Sequence, residues 1–265
     1  MYKVTLPILR GKKGKEKISA LTAYDYAFAK LIDDAGIDIV LVGDSVGVVI
    51  AGEENTLSVT MDQMIYHTRM VSRAVSRAFV VGDMPFLSYQ VRMEETVANA
   101  GRFLKEGGAA AVKLEGGAAV VNQIETLTKY GIPVMAHIGL TPQSVHQMGG
   151  FKVQGQGAEQ AGQLLMDAKL VESAGAFAIV LEGIPTALAK EITALVDIPT
   201  IGIGAGPHCD GQVLVLHDML GLCDKFRPKF VRRYADLSTT VKDALHRYQM
   251  DVVSGAFPTV DEGYS

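Results

Sequence analysis

Cysteine is nearly absent from this sequence: its 265 residues include only Cys209 and Cys223, fourteen positions apart. Two thiols at that spacing exclude a disulfide framework. His208 adjoins Cys209, but adjacent side chains rarely converge on one ion, so a zinc site is not expected either. Long apolar runs are lacking as well. The stretch Ile37–Ile50 is interrupted by Asp38 and Asp44 and falls short of the ~20 residues a bilayer span needs, so no membrane segment is expected. There is no surplus of positive charge, the formal net charge being −4, and hence no broad cationic field to attract nucleic acid. The N-terminus has no apolar core or cleavage site of a signal peptide, which points to the cytoplasm. No Pro/Ser-rich linker divides the chain, so a single domain over 1–265 is expected, with a leader over about 1–17. The bases Arg10, Lys12, Lys13, Lys15 and Lys17 in that leader read as a solvated face.

The residues that are present alternate in character. Short β-branched runs are followed by longer segments of helical period, the pattern of a parallel sheet covered by helices. Strands are expected at 18–22, 37–42, 79–81, 111–114, 133–137, 178–181 and 200–203, with a weaker eighth at Phe230–Val231. Helices are expected at 24–35, 60–78, 93–106, 118–130, 158–174, 185–196, 211–220 and 238–254. Three of these helices end in the same way, at Ala35-Gly36, Glu106-Gly107-Gly108 and Ala174-Gly175. Glycine there supplies a left-handed C-cap, and its repetition marks one β/α unit used again and again. The length matches the roughly 250 residues of one (β/α)₈ barrel, so a closed α/β TIM barrel is favoured over an open doubly wound sheet. Two connections after strands are long enough to act as lids, Gly139–Gly157 and the shorter Ala51–Val59.

In such a barrel the functional residues stand where strands end. The second run stops at Asp44-Ser45, the third at Asp83, the fourth at Lys113-Leu114-Glu115, the fifth at His137 and the sixth at Glu182. Lys113 and Glu115 differ by two positions, so both can face the same side of their strand. Taken singly, Asp44 or Asp83 could merely cap the following helix, and His137 could be a satisfied core histidine. Five adjacent strands delivering such groups make a site the better reading. Crowded carboxylates repel one another, and a hard divalent cation with oxygen ligands relieves that repulsion. Mg²⁺ bound by Asp44, Asp83 and Glu115 fits this inventory, and Glu182 is then free for proton transfer. The ammonium of Lys113 needs an anion, which Glu115 or a substrate carboxylate could supply. The glycine series Gly202-Ile203-Gly204-Ala205-Gly206 after the seventh run could cradle a phosphate or simply let a neighbour approach the backbone closely.

Read together, Thr22-Ala23-Tyr24-Asp25, Leu41-Val42-Gly43-Asp44-Ser45, Tyr66-His67-Thr68, Val112–Gly117, His137–Gln143, Gly150–Gly155 and Gly202–Gly206 resemble the ketopantoate hydroxymethyltransferase family. The likeness runs from about residue 18 to 258. It implies a barrel of the phosphoenolpyruvate/pyruvate type, a bound Mg²⁺, and transfer of a hydroxymethyl group from 5,10-methylenetetrahydrofolate to 3-methyl-2-oxobutanoate in pantothenate biosynthesis. By that resemblance Asp44, Asp83 and Glu115 hold the metal, Asp44, Ser45, Asp83 and Lys113 contact the oxo acid, and Glu182 accepts the proton. His137 is expected to support the bound oxo acid. The family's large homo-oligomeric rings, commonly decamers, are implied too. The chain departs from the commoner family wording at Ser58, where proline is frequent, and at Gln156, where a base is frequent. Two other readings of the same residues are a Mg²⁺-dependent 2-oxo acid carbon–carbon lyase on this barrel and a non-catalytic barrel scaffold.

Overall fold

The computed structural model describes residues 2–223 and 228–264. They fall into two compact units, Met1–Val215 and Leu216–Ser265. The first unit opens with α1 (Leu6–Gly11), β1 (Ile18–Thr22), α2 (Tyr26–Asp34), β2 (Ile39–Val42) and a single turn, α3 (Val46–Val49). It continues with α4 (Met61–Ala74), β3 (Phe79–Asp83), α5 (Met93–Lys105), β4 (Ala111–Glu115), α6 (Val121–Lys129) and β5 (Val134–Gly139). Then come a short α7 (Val145–Met148), α8 (Ala158–Ser173), β6 (Ala178–Glu182), α9 (Thr186–Leu195), β7 (Thr200–Ile203) and β8 (Gly211–Leu214). The second unit holds α10 (Leu216–Met219) and α11 (Leu237–Ser254).

All eight strands are parallel and pair with their sequence neighbours, and β8 closes on β1 through Ile18 opposite Gly211. The expected closed barrel is therefore what forms. Its helix starts are set locally: Asp25 accepts the N–H of Phe28 to cap α2, and Thr60 with Gln63 makes a reciprocal capping box on α4. Alternate strand residues, among them Ala20, Ile39, Leu41, Val81, Ala111, Val180, Ile201 and Val213, fill the barrel interior, where Phe79 and Phe177 meet edge to face at 5.6 Å.

Two expectations are corrected. The eighth strand is not Phe230–Val231. It is Gly211–Leu214, at the start of the segment expected to be a helix, so the barrel is complete at Leu214. Only four residues long and following seven residues after β7, this strand lacks both a long apolar run and a preceding helix, the two signals that identified the others.

The leader is solvated only in part: Arg10, Lys15 and Lys17 are exposed, whereas Lys12 and Lys13 are half-buried. Pro7 stands in the first turn of α1, and Val4 and Leu9 are buried among the interior residues of the barrel. The basic residues that follow are anchored: Lys12 Nζ lies 2.9 Å from Asp38 Oδ1, Lys13 Nζ 2.8 Å from Asp210 Oδ2, and Lys17 Nζ donates to the Cys209 carbonyl. Asp38 and Asp210 stand just before β2 and β8. Their charges, sunk at the amino-terminal end of the barrel, explain why lysines are needed there.

In the second unit, Asp236 caps α11 by accepting the N–H of Thr239, and the N–H of Leu237 donates to the Leu220 carbonyl at 2.9 Å. Among the described residues no helix is long and apolar enough to cross a membrane.

Candidate active site

Strand register assembles the carboxyl-terminal rim. Asp83 on β3 lies opposite Lys113 on β4, Glu115 lies opposite His137 on β5, and Gly139 lies opposite Glu182 on β6. Asp44 follows β2 directly, and its backbone N–H donates to Asp83 Oδ2 at 3.2 Å. Asp44, Asp83, Lys113, Glu115, His137 and Glu182 therefore converge, and Ser45 follows Asp44 in the chain. Asp44, Asp83, Lys113, Glu115 and His137 are buried, while Glu182 keeps partial access to solvent. Local backbone makes this possible. Gly139 sits at φ +98, and a Cβ there would lie 2.3 Å from the Glu182 carbonyl oxygen, so β5 and β6 can close together at their ends only with glycine. A Cβ at Gly43 would meet Ser45 Oγ at 2.7 Å; its absence leaves that hydroxyl free to share a 2.8 Å hydrogen bond with the Tyr24 hydroxyl.

The centre is an ionic cluster. Lys113 Nζ stands 2.9 Å from Asp83 Oδ1 and 3.3 Å from Glu115 Oε1. His137 bridges outward, with Nδ1 3.4 Å from Glu115 Oε1 and Nε2 3.3 Å from Glu182 Oε2. Its Nδ1 is also 3.2 Å from Lys113 Nζ, so it either accepts from lysine or carries a proton toward Glu115, not both. Burial and the Lys113 charge oppose protonation of His137, yet Glu115 and Glu182 outweigh them and push its pKa to about 9. The proton facing Glu115 is thus the favoured state. Burial alone would also neutralise Glu115, but Lys113 and His137 pull its pKa down to about 2. For Asp44 the balance goes the other way: burial first, then the charges of Asp83 and Glu115, hold it well above the usual carboxylate range against the pull of Lys113 and the Gln143 amide. Asp83 is raised too, chiefly by burial, with Lys113 pulling against it. Burial opposes the charge on Lys113, but Asp83, Glu115 and Asp44 overcome that and keep the ammonium protonated.

Three buried carboxyl groups face the Lys113 ammonium and the His137 imidazolium, the raised pKa values of Asp44 and Asp83 show that these two cations do not relieve the crowding, and every oxygen of the set is a hard donor. Asp83 Oδ1 has only the off-axis charge contact with Lys113 and no hydrogen bond. Charge and donor type therefore fit a divalent cation such as Mg²⁺ at Asp44, Asp83 and Glu115. Among the described residues no group of three or more His, Cys, Asp or Glu side chains is gathered closely enough to hold an ion unaided. Water and substrate would have to complete its shell.

Two residues that the sequence did not assign a role organise the cluster. Gln143, in the turn Pro142–Ser144, is buried. Its side-chain amide donates to Asp44 Oδ2 at 3.0 Å and to the Met84 carbonyl at 2.9 Å, while its backbone N–H donates to Glu115 Oε2 at 3.0 Å. Tyr89, 1% exposed, donates to Gln143 Oε1 at 2.7 Å and accepts the Glu115 N–H at 3.1 Å. The only signal of either in the sequence was that Gln143 closes one of the strings shared with the family. The glycines after β7 have a packing explanation: Cβ atoms at Gly202 and Gly206 would press on Cys209 Sγ at 2.9 Å and Thr186 Oγ1 at 2.4 Å. Nothing in that arrangement supports a phosphate site.

The fold and the rim define a closed parallel (β/α)₈ barrel with its ionisable residues gathered at the strand carboxyl ends. The same fold is seen in phosphonopyruvate hydrolase, with a TM-score of 0.66 at 15% identity over 99% of this chain and 93% of that one. It is seen also in 2,3-dimethylmalate lyase, with a TM-score of 0.65 at 17% identity over 100% and 92%. Within that class the chain belongs to the ketopantoate hydroxymethyltransferase family, whose sequence model matches residues 3–260. Relatives named 3-methyl-2-oxobutanoate hydroxymethyltransferase include those of Geotalea daltonii, 62% identical over 98% of this chain and 97% of the relative, and Geobacter sulfurreducens, 61% identical over 99% and 98%.

Proposed function

We propose that the chain transfers the one-carbon unit of 5,10-methylenetetrahydrofolate to 3-methyl-2-oxobutanoate, giving 2-dehydropantoate through an enolate. The observation that carries this reading is the buried Asp44–Asp83–Lys113–Glu115 cluster joined through His137 to a partly open Glu182. A 2-oxo acid brings a carboxylate and a keto oxygen; Lys113 and the Ser45 hydroxyl are the donors suited to them. Asp44, Asp83 and Glu115 would hold Mg²⁺, which when bound polarises the keto group. Glu182 is the acid with access to the opening and accepts the C3 proton. The buried His137 Nε2, 3.3 Å away in a charge contact without hydrogen-bond geometry, supplies it with a positive neighbour. A positioned base of this kind is worth about 10²–10⁴-fold in rate. The enolate carbon then attacks the methylene carbon of the folate after its bond to one folate nitrogen has opened, and water displaces the other nitrogen, giving the hydroxymethyl group and releasing tetrahydrofolate. Assembly into a ring of identical chains belongs to the same proposal and is read out by sedimentation velocity.

The test is direct. Mass spectrometry should detect 2-dehydropantoate from the two substrates with Mg²⁺, and its absence with folded, metal-supplied protein would overturn the assignment. Exchange of the C3 proton into heavy water without folate should fall by at least about 10²-fold in Glu182→Gln. Undiminished exchange would remove Glu182 from its role.

A further inference from the structure

Residues 144–160 enclose an open cleft of about 800 Å³ that the chemistry of the cluster does not use. That volume suits a ligand of a few hundred daltons. Four side-chain amides line it, those of Gln147, Gln154, Gln156 and Gln160, together with one cation, Lys152, and no carboxylate. Met148 and Val153 give it an apolar side. One covalent link and one backbone hydrogen bond tie the cleft to the rim. In the turn Pro142–Ser144, Gln143 bonds Asp44 and Glu115 while the next residue, Ser144, lines the cleft. On the other side, the Gln154 N–H donates at 2.9 Å to the carbonyl of Gly183, which follows Glu182. The wall of the cleft is thus continuous in the chain with the residue that orients the acids and hydrogen-bonded to the backbone next to the base.

We propose that this cleft receives the benzoylglutamate tail of the folate donor, with Lys152 facing the tail carboxylates. This rests on the reading of the rim as a hydroxymethyl transfer site. The transferred carbon bridges the pterin and aminobenzoyl halves of the donor, so when that carbon faces the rim the tail must leave through an adjoining opening. The tail is an aromatic ring, an amide and carboxylates. The cleft offers an apolar side, amides that can donate and accept, and a cation without a competing acid. Gln156 adds an amide and no charge, so Lys152 is the cation that the tail carboxylates meet and the rest of the recognition falls to amides.

Equilibrium titration should show tetrahydropteroylglutamate binding about fivefold more tightly than tetrahydropteroate, which lacks the glutamate, as expected for a charge contact that stays partly wet. Lys152→Ala should erase that difference, raise KM for the methylene donor by a similar factor and leave KM for the oxo acid alone, whereas Gln156→Lys should enlarge it. Lys152 and Gln156 are exposed, so these variants test the cleft without disturbing the core. Equal binding of the two folates by the wild type, or an undiminished preference in Lys152→Ala, would overturn the proposal. Failure of the wild type to exchange the C3 proton of the oxo acid, a measurement that needs no folate, would instead overturn the reading of the rim.

Discussion

Gln143 shows how much of this site depends on groups that do no chemistry. One amide side chain and one backbone N–H reach the carboxylates of Asp44 and Glu115, two residues that come from different strand ends. Without them Asp44 would lose its side-chain donor in a setting where burial and two neighbouring acids already raise its pKa. We expect Gln143→Ala to lower kcat/KM for the oxo acid by about 10–100-fold, the range found for partners that orient metal-binding carboxylates, with an unchanged far-UV circular dichroism spectrum. Tyr89→Phe should do less. It removes one hydroxyl that relays Gln143 to the Glu115 backbone, a net loss of about 1 kcal/mol readable by urea denaturation. Lys113→Met is the severe change: it leaves Asp83 and Glu115 buried without their counter-ion and should cost about 3–5 kcal/mol. Of these residues the sequence exposed Lys113 and the acids, because each stands where an apolar run stops. Tyr89 and Gln143 sit in loops, where no periodicity marks a polar side chain as turned inward.

Among the elements, α1 departs most from expectation, and charge explains why. Lysines in a leader read as solvated unless acids wait for them; Asp38 looked like the interruption of an apolar run, and Asp210 was not singled out at all. Both turn out to receive several donors: Asp38 accepts from Lys12, the Ser19 N–H and Arg77, and Asp210 accepts from Lys13 and the N–H groups of Gly14 and Thr200. Burial works against the ionised form of each, but these donors prevail and hold both pKa values below the ordinary aspartate value. A lowered folded-state pKa contributes stability that is present above the unfolded-state value, near pH 4, and is lost as pH falls through the lower folded value. Lys13→Met takes away a donor to Asp210 and lets its pKa rise, so the loss begins at higher pH. The acid-unfolding midpoint followed by circular dichroism should move upward in the variant, and coincident midpoints would show that the lysine contributes nothing. Apart from the single turns α3 and α7, which are too short to show a period, the strands and the longer helices from β1 through β7 were legible within a few residues because each is a periodic run with its own boundary. β8 was not, because four residues held by pairing with β1 and β7 need little propensity of their own.

Across the whole barrel unit, the two rims divide the labour. The amino-terminal rim is closed by Val4, Leu9 and the Lys12–Asp38 and Lys13–Asp210 pairs, while every acid and base read as functional lies at the carboxyl-terminal rim. The polarity follows from topology: parallel strands all end on one side, so strand-end residues scattered from 44 to 182 in sequence are forced into one ring. That is why the site could be read from sequence without knowing the fold in detail, whereas the cleft at 144–160, built by a loop folding on itself, could be flagged only as a long connection. The same separation makes a prediction about coupling. A strand of five residues spans about 16 Å, so Leu9 beneath the barrel and Gln143 above it lie too far apart to share partners. Leu9→Ala should cost about 2–4 kcal/mol in urea denaturation and leave kcat per folded molecule unchanged. Combined with Gln143→Ala, its stability loss should add to that of the second change within about 0.5 kcal/mol, while kcat/KM follows Gln143→Ala alone. A coupling well beyond that value, or a fall in kcat from Leu9→Ala by itself, would mean that the floor of the barrel positions the acids at its mouth.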